Sequence, residues 1–472
     1  MSNLLWSLEA MVVAMDAKPV GKMPKGISGL SIDTRSLENG DAYFAIKGDV
    51  HDGHKFVANA YQAGAGLSVV SQSWLNRLEG EVGPLLVVED VLIAMEKLGV
   101  AARTRTNAKV IAVTGSVGKT STKEALRIAL LPSGKVHAAV ASFNNHWGVP
   151  LTLGRMAQDT EFAIIEIGMN HPGEITPLVK MARPHVAMIM NVAAVHLGAF
   201  KDIDEIALAK AEIFDGLEEN GTIVLNADDQ RLGILENRAL ELGIKNIVRF
   251  GEADHSQAQL EKLVLHGHCS CLTAKIMGDG VAVKIGAPGR HIAQNILGVL
   301  AVVRLVDGDL AKAGLALANM QAVKGRGQQH RLSYPGERII LIDESYNANP
   351  TSMAAALALL AAARTKSRGR HIAILGDMLE LGETSDKLHA DLADEIVENN
   401  IERVFLAGPR MLALKKELTG RVECTHVNIV EELIPLVLKD LRGGDALMVK
   451  ASLGMKFAQL IDALLLNYPQ KS

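Results

Sequence analysis

A chain of 472 residues is too long for one ordinary core, and domains of roughly 100–200 residues predict two to four of them. Its 48% hydrophobic and 22% charged content excludes a disordered chain, and a net charge of -4 offers no bulk attraction for nucleic acid or an anionic membrane surface. Any anionic ligand must be held by a local site, and three cysteines make no disulfide framework.

Residues 1–22 carry an apolar stretch without a basic leader, interrupted by Glu9, so a secretory signal is not expected. The longest apolar run, 353–363, falls short of the about 20 residues a membrane span needs. The expectation is a cytoplasmic, monomeric protein acting on small molecules, with no nucleic-acid partner and no membrane insertion.

Strand-like apolar runs alternate with helical patterns along most of the chain, the signature of parallel α/β architecture. Three segments are expected. The first, 1–107, contains Ser31-Ile-Asp-Thr-Arg35 through Phe44-Ala-Ile-Lys-Gly48, where short strands meet Gly and Asp turns. The second, 108–320, opens on a buried strand at 109–113 and continues with strands at 162–167, 186–191, 222–226 and 246–250. Near its end, 262–285 reads as a β-hairpin around Met277-Gly-Asp-Gly280. The third, 321–472, has strands at 338–342, 371–375, 403–407 and 446–449, with helices at 351–364 and 385–398, and suits a second doubly wound sheet.

The strongest local signal is Ala112-Val-Thr-Gly-Ser-Val-Gly-Lys-Thr-Ser121, after a strand and before the helical pattern 122–130. Glycines let backbone N–H groups approach phosphate oxygens, and a helix start adds its positive dipole end. Gly115, Ser116, Val117, Gly118 and Ser121 would form the cradle. Lys119 would neutralise the β- and γ-phosphates, and Thr120 would place its hydroxyl on Mg²⁺. The pattern is abbreviated: Val113 stands where the first glycine is expected.

Thr114-Gly-Ser-Val-Gly-Lys-Thr120 resembles the phosphate loop of the Mur ligase family. So do Phe143-Asn-Asn-His-Trp-Gly-Val-Pro150, Glu166-Ile-Gly-Met-Asn-His-Pro-Gly-Glu174, Asn191 with His196, and Asp343-Glu-Ser-Tyr-Asn-Ala-Asn-Pro350. Within the family, Ser-Tyr-Asn-Ala-Asn-Pro, Met-Asn-His-Pro-Gly-Glu-Ile and Gly376-Asp-Met-Leu-Glu-Leu-Gly382 resemble the branch that adds D-alanyl-D-alanine. The resemblance implies an α/β protein of three domains. These are a small UDP-binding domain, a central P-loop ATPase-like parallel sheet and a C-terminal Rossmann-like domain closing over the nucleotide.

It implies an ATP- and Mg²⁺-dependent ligase that phosphorylates the carboxylate of a UDP-N-acetylmuramoyl-tripeptide, then lets the amine of D-alanyl-D-alanine displace the phosphate. By the same resemblance, Glu166 and His196 ligate magnesium with Thr120. Lys210 would join them, carbamylated by CO₂ into an anionic ligand. Lys119, Lys210, His196 and Glu166 form the implied catalytic set. Asn191 shapes the loop. His291 and Asn295 face the nucleotide, and Arg326 and Asp343 reach phosphate and ribose on closure. Tyr346, Asn347 and Asn349 line the dipeptide and acyl-phosphate region. Ser31, Asp33, Thr34, Arg35, Lys47 and Gly48 match the uridine-diphosphate pocket, with Arg35 and Lys47 suited to pyrophosphate. Asn144 and Asn145 contact the muramoyl-peptide.

Where the family often has Lys-Gly-Ser-Arg, this chain has Lys450-Ala-Ser-Leu453, which puts a phosphate contact there in doubt. His266-Gly-His-Cys-Ser-Cys271 looks like a zinc cluster, but alternation along a strand would send the histidines and cysteines to opposite faces. Two other readings stay open. One is a neighbouring Mur or folylpolyglutamate-type ligase with a different amino acid; the other is a P-loop regulatory protein without ligase chemistry.

Overall fold

The computed structural model describes residues 4–48, 51–195, 197–363 and 369–470. Among them, the strands form three principal sheets arranged along the chain. The first runs in the order Lys18–Val20, Leu85–Val88, Leu67–Ser71, Ala42–Phe44, Leu30–Ser31. Its last four strands are parallel, and only the edge strand Lys18–Val20 is antiparallel.

The central sheet has nine strands. Lys109–Thr114 lies between Val186–Ile189 and Phe162–Glu166, all parallel. These strands are continuous apolar runs because helices cover both faces of the sheet. Helix Arg290–Leu305 contributes most of its length to one core layer. Helices Ile175–Ala182 and Ile203–Ala211 fill the other. The chain leaves Lys109–Thr114 for one side of the sheet and later returns on the other. Their carboxyl ends therefore open a crevice at a topological switch point.

The expected hairpin exists, as Ser270–Ile276 and Asp279–Ile285 joined through Met277 at φ 50° and Gly278 at φ 104°. A third strand, Ala258–Leu265, extends it into a meander on the sheet edge. Residues 266–269 are the turn between two of these strands, so the alternation expected for the His/Cys stretch does not apply. Among the described residues, no three His, Cys, Asp or Glu side chains gather to hold a metal.

The third sheet orders as Gln328–Tyr334, Glu337–Glu344, Ala446–Lys450, His371–Gly376, Arg403–Ala407, Glu423–Val427. All pairs are parallel except the first. Helix Pro350–Ala361 starts at proline, whose fixed φ and missing N–H suit a first helical turn. The helix expected at 385–398 is two, Ser385–Ala390 and Leu392–Glu398.

The first and central units are bound closely. Leu151 of the central unit sits in the first unit's core. Trp6 Nε1 donates to Gly154 O at 2.8 Å, Arg155 Nε to Leu30 O at 2.8 Å, and Arg103 Nε to Ala182 O at 2.9 Å. The third unit approaches more lightly, with Arg326 Nη2 donating to Ser142 Oγ at 3.4 Å and Gly198 N to Glu380 O at 3.4 Å.

Candidate active site

A cleft of about 690 Å³ lies between the carboxyl ends of the central strands and the loops of the third sheet. Helix Lys119–Leu130 forms its floor, beginning three residues before the sequence pattern suggested. Gly118 adopts φ 87°, and a Cβ there would come 2.8 Å from Asn295 Nδ2. The left-handed φ favours glycine here, and a side chain would also press on the Asn295 amide. The amides of Gly118, Lys119, Thr120 and Ser121 find no acceptor among the described residues. They are the orphan donors of a helix start and face the cleft.

Ser116 and Val117, expected in the cradle, have their amides committed elsewhere. Ser116 N donates to Asn191 O at 3.0 Å, and Val117 N to Asn191 Oδ1 at 3.0 Å. Asn191 Nδ2 returns a bond to Val117 O at 3.1 Å, so Asn191 shapes the loop, as expected. The amides left open to an anion are thus those of Gly118 and the first turn of the helix rather than those of Ser116 and Val117. Gly115, at φ 156°, packs its α-carbon against Met190. Its carbonyl accepts the Lys119 ammonium at 2.6 Å. Burial brings Lys119 down to about 8, while Glu166 pulls it up and Arg326 pushes it further down.

Glu166 closes its strand, 1% exposed. Its Oε1 accepts from Thr120 Oγ1 at 3.1 Å and Asn144 Nδ2 at 2.7 Å, while Oε2 is buried with no partner. An orphaned carboxylate oxygen beside a hydroxyl, under a phosphate-binding helix start, fits a hard divalent cation. Lys210 is buried on helix Ile203–Ala211, 2% exposed and without a hydrogen-bond or salt-bridge partner among the described residues. The pattern of residues 205–214 is amphipathic and would equally suit a solvated lysine, yet this one is buried. Burial drives its pKa far below the ordinary lysine value, with Lys119 adding to the effect. His196 lies outside the described residues.

From the opposite wall come Arg326, whose guanidinium stacks 4.1 Å over the Tyr346 ring, together with Asn347 and Asn349. His291 is half-buried in the cleft wall, held below its usual pKa by desolvation, with Glu344 opposing and Lys450 adding. Lys450 keeps a place here despite the altered sequence around it. It donates to Glu344 Oε2 at 3.1 Å and Asn347 O at 3.0 Å.

Asp343 does not face the cleft as expected. Its oxygens accept from Gly325 N at 3.1 Å, Ser345 N at 3.1 Å and Ser345 Oγ at 2.6 Å, so it positions the loops bearing Arg326 and Tyr346. Asn349 is the N-cap of Pro350–Ala361 in a capping box with Ser352. Asn145 caps the next turn by accepting from Gly148 N at 3.0 Å.

The first-unit residues Ser31, Asp33, Thr34, Arg35, Lys47 and Gly48 do not line this cleft. They gather in their own unit. Asp33 accepts both Arg35 Nε at 2.9 Å and Arg35 Nη2 at 2.6 Å, and Arg35 holds its carboxyl below the usual range against the opposing pull of burial. Ser31 Oγ donates to Asp33 O at 2.9 Å, and Lys47 bridges Asp52 through its backbone. Sequence reasoning missed Ser142, which lies in the cleft and bonds both Thr120 and Arg326. Its position directly before Phe143-Asn-Asn was the one available signal.

A helix start poised for phosphate, a carboxylate suited to a metal and an arginine from a facing sheet define a nucleotide-dependent phosphoryl-transfer enzyme. The comparisons narrow this class. Residues 26–116 match the Mur ligase family catalytic domain, 113–303 the Mur ligase middle domain and 325–453 the Mur ligase glutamate ligase domain. The chain is 32% identical over 464 residues to the UDP-N-acetylmuramoyl-tripeptide--D-alanyl-D-alanine ligase of Rickettsia prowazekii (strain Madrid E), covering 97% of this chain and 99% of that one. It is 35% identical over 389 residues to the Escherichia coli (strain K12) enzyme of the same name, covering 82% and 83%. MurF of Acinetobacter baumannii superposes with a TM-score of 0.83 at 27% identity, covering 98% of both chains. This chain belongs to the Mur ligase family.

Proposed function

We propose that the protein is the ATP-dependent, ADP-forming ligase that joins D-alanyl-D-alanine to a UDP-N-acetylmuramoyl-tripeptide, a step of peptidoglycan synthesis. Similarity to relatives of that name over nearly the whole chain supports the substrates. The observation in the cleft that carries the chemistry is the buried, unpartnered Glu166 Oε2 below the open amides of Gly118 to Ser121.

A carboxylate cannot be attacked directly by an amine, because its leaving group would be oxide. Transfer of the γ-phosphoryl group of ATP to a carboxylate oxygen gives an acyl phosphate and ADP. The amine of D-alanyl-D-alanine then bonds to the acyl carbon, loses a proton, and expels inorganic phosphate as the C–O bond breaks. Carboxylate and ATP repel each other, so the residues around them must spread charge and fix geometry. Lys119 and the amides of Gly118–Ser121 hold the phosphates from below. Arg326, held by stacking on Tyr346, faces them from the third unit.

Mg²⁺, when bound, neutralises phosphate charge and orients the transferred group. Thr120, Glu166, His196 and carbamylated Lys210 are its proposed ligands. A buried lysine without an anion fits such a set only once CO₂ has made it a carbamate, and its depressed pKa supplies the neutral amine that reaction needs. His291 and Asn295 take the nucleotide. Asn144, Tyr346, Asn347 and Asn349 border the acyl and dipeptide groups. We assign 1–107 to the UDP-muramoyl-peptide, with Arg35 and Lys47 on its pyrophosphate, 108–320 to ATP, and 321–472 to the closing ligase domain.

No helix among the described residues is long and apolar enough to cross a membrane. We place the enzyme in the cytoplasm, where ATP is supplied, acting as a monomer. The decisive experiment is mass spectrometry of the product from UDP-tripeptides ending in meso-diaminopimelate or lysine, with ATP and D-alanyl-D-alanine. The expected result is one added dipeptide per ADP formed. ADP release without joining, or no ADP release at all, overturns the proposal.

A further inference from the structure

Lys123 is a buried cation that the reaction above does not use. Its side chain is 1% exposed, one turn beyond Lys119 on helix Lys119–Leu130. Its Nζ donates to Ala139 O at 2.6 Å and Ala141 O at 3.1 Å, and lies 3.3 Å from Glu124 Oε1. Two hydrogen bonds and an adjacent carboxylate thus partner the charge, the condition for keeping an ammonium inside a protein.

The location of those two carbonyls gives the lysine a purpose. Val136–Ala138 is the edge strand of the central sheet, and its ladder with Phe162–Glu166 ends at Ala138. Beyond that point its carbonyls have no neighbouring strand, and the next backbone partner is Gly168 N, which donates to Asn144 O at 2.8 Å. Yet the segment that follows must be placed accurately. Ser142 Oγ lies 2.7 Å from Thr120 Oγ1 and accepts from Arg326 Nη2 at 3.4 Å. Two residues on, Asn144 Nδ2 holds Glu166 Oε1 at 2.7 Å. Ser142 is therefore the junction between an arginine of the third unit and the hydroxyl beside Glu166. The backbone that carries it is anchored by Lys123.

We propose that Lys123 is a positioning residue for phosphoryl transfer: by holding the carbonyls of Ala139 and Ala141 it keeps the Ser142 hydroxyl between Thr120 and Arg326. The approach of the third unit is then registered at Thr120, next to Glu166, only while this segment is held. The inference rests on the ligase reading above. Lys123 touches no substrate, so its loss acts on the transfer step and leaves the nucleotide donors of Gly118–Ser121 in place.

The test compares Lys123→Met, which keeps the aliphatic stem and removes the donors, with Ser142→Ala and the double variant, alongside the wild type. Misplacement of this kind is expected to lower kcat of K123M by roughly 10–100-fold while KM for ATP stays within about twofold. Because both changes cut one linkage, adding S142A to K123M is expected to cost less than about threefold more, whereas independent effects multiply. Wild-type kcat in K123M, a change confined to KM, or losses that multiply overturns the inference. Should K123M not fold, S142A decides: a lowered kcat at unchanged KM for ATP sustains the linkage, and full turnover overturns it. A wild-type enzyme that joins no dipeptide sinks the ligase reading itself; an active wild type with unaffected variants sinks only the role of Lys123.

Discussion

Two lysines, on helices that cover opposite faces of the central sheet, carry the sharpest chemistry, and they are opposed cases. Lys119, half-buried, is shifted to about 8 because desolvation penalises its charge, yet it points at a site built for anions. Binding a triphosphate will raise its pKa again, so nucleotide binding near pH 8.5 is expected to take up protons. Titration calorimetry in two buffers of different ionisation enthalpy measures this uptake, which should fade toward pH 6.5, where the free lysine is already charged. Lys210 has no such outlet: it is buried beside a like charge with no carboxylate partner among the described residues. Lys210→Ala is expected to lose at least about 100-fold in kcat, the scale for removing a group that positions transition-state charge. Formate or acetate should restore part of the loss by supplying a carboxylate to the vacated space. Near-normal turnover without additives would remove Lys210 from the site. Neither burial was legible from the residues alone, because a lysine on an amphipathic pattern looks the same whether its face meets solvent or another helix.

At the scale of elements, most strands are found where alternating and continuous apolar runs place them, and Thr222–Asn226 and Arg403–Ala407 have the expected bounds. Differences fall at ends and turns. Helix Lys119–Leu130 starts early because Gly118 can take the left-handed conformation that launches it directly from the loop. The His/Cys stretch became a turn once Ala258–Leu265 added a third strand. Asn349 shows how an element can claim a residue expected at the substrate. Its side chain accepts from Ser352 N at 2.9 Å, and its own N–H donates to Ser352 Oγ at 3.0 Å. Asn349→Ala is expected to destabilise the third unit by about 1 kcal/mol through loss of this cap. Urea unfolding followed by circular dichroism measures it, and an unchanged midpoint would leave Asn349 with no structural role to explain its place.

For the whole molecule, the cores predict how it comes apart. The first sheet shares Leu151 with the central unit and is tied to it by Trp6, Arg103 and Arg155. The third sheet has two hydrophobic layers made of its own residues. Denaturation is therefore expected in two steps, the first and central units melting together and the third apart. A non-hydrolysable ATP analogue at 100 times its Kd should stabilise the step containing the central unit by about 2.7 kcal/mol. Calorimetry with and without the analogue checks this, and a single transition shifted as a whole would contradict the division.

Although Val136–Ala138, Gln328–Tyr334 and Glu423–Val427 were not, most strands of the central and third sheets, the glycine-rich turn before Lys119 and the blocks shared with the family were readable in the chain. They rest on local patterns and spacing, which survive without coordinates. What needed the folded molecule was the partner of each polar group. Asp343 turned inward, Val117 gave its amide to Asn191, Lys450 reached Glu344, and Ser142 met Arg326. Those pairings join residues 18 to 184 positions apart. Such contacts follow from how three sheets pack, and no local pattern encodes that packing.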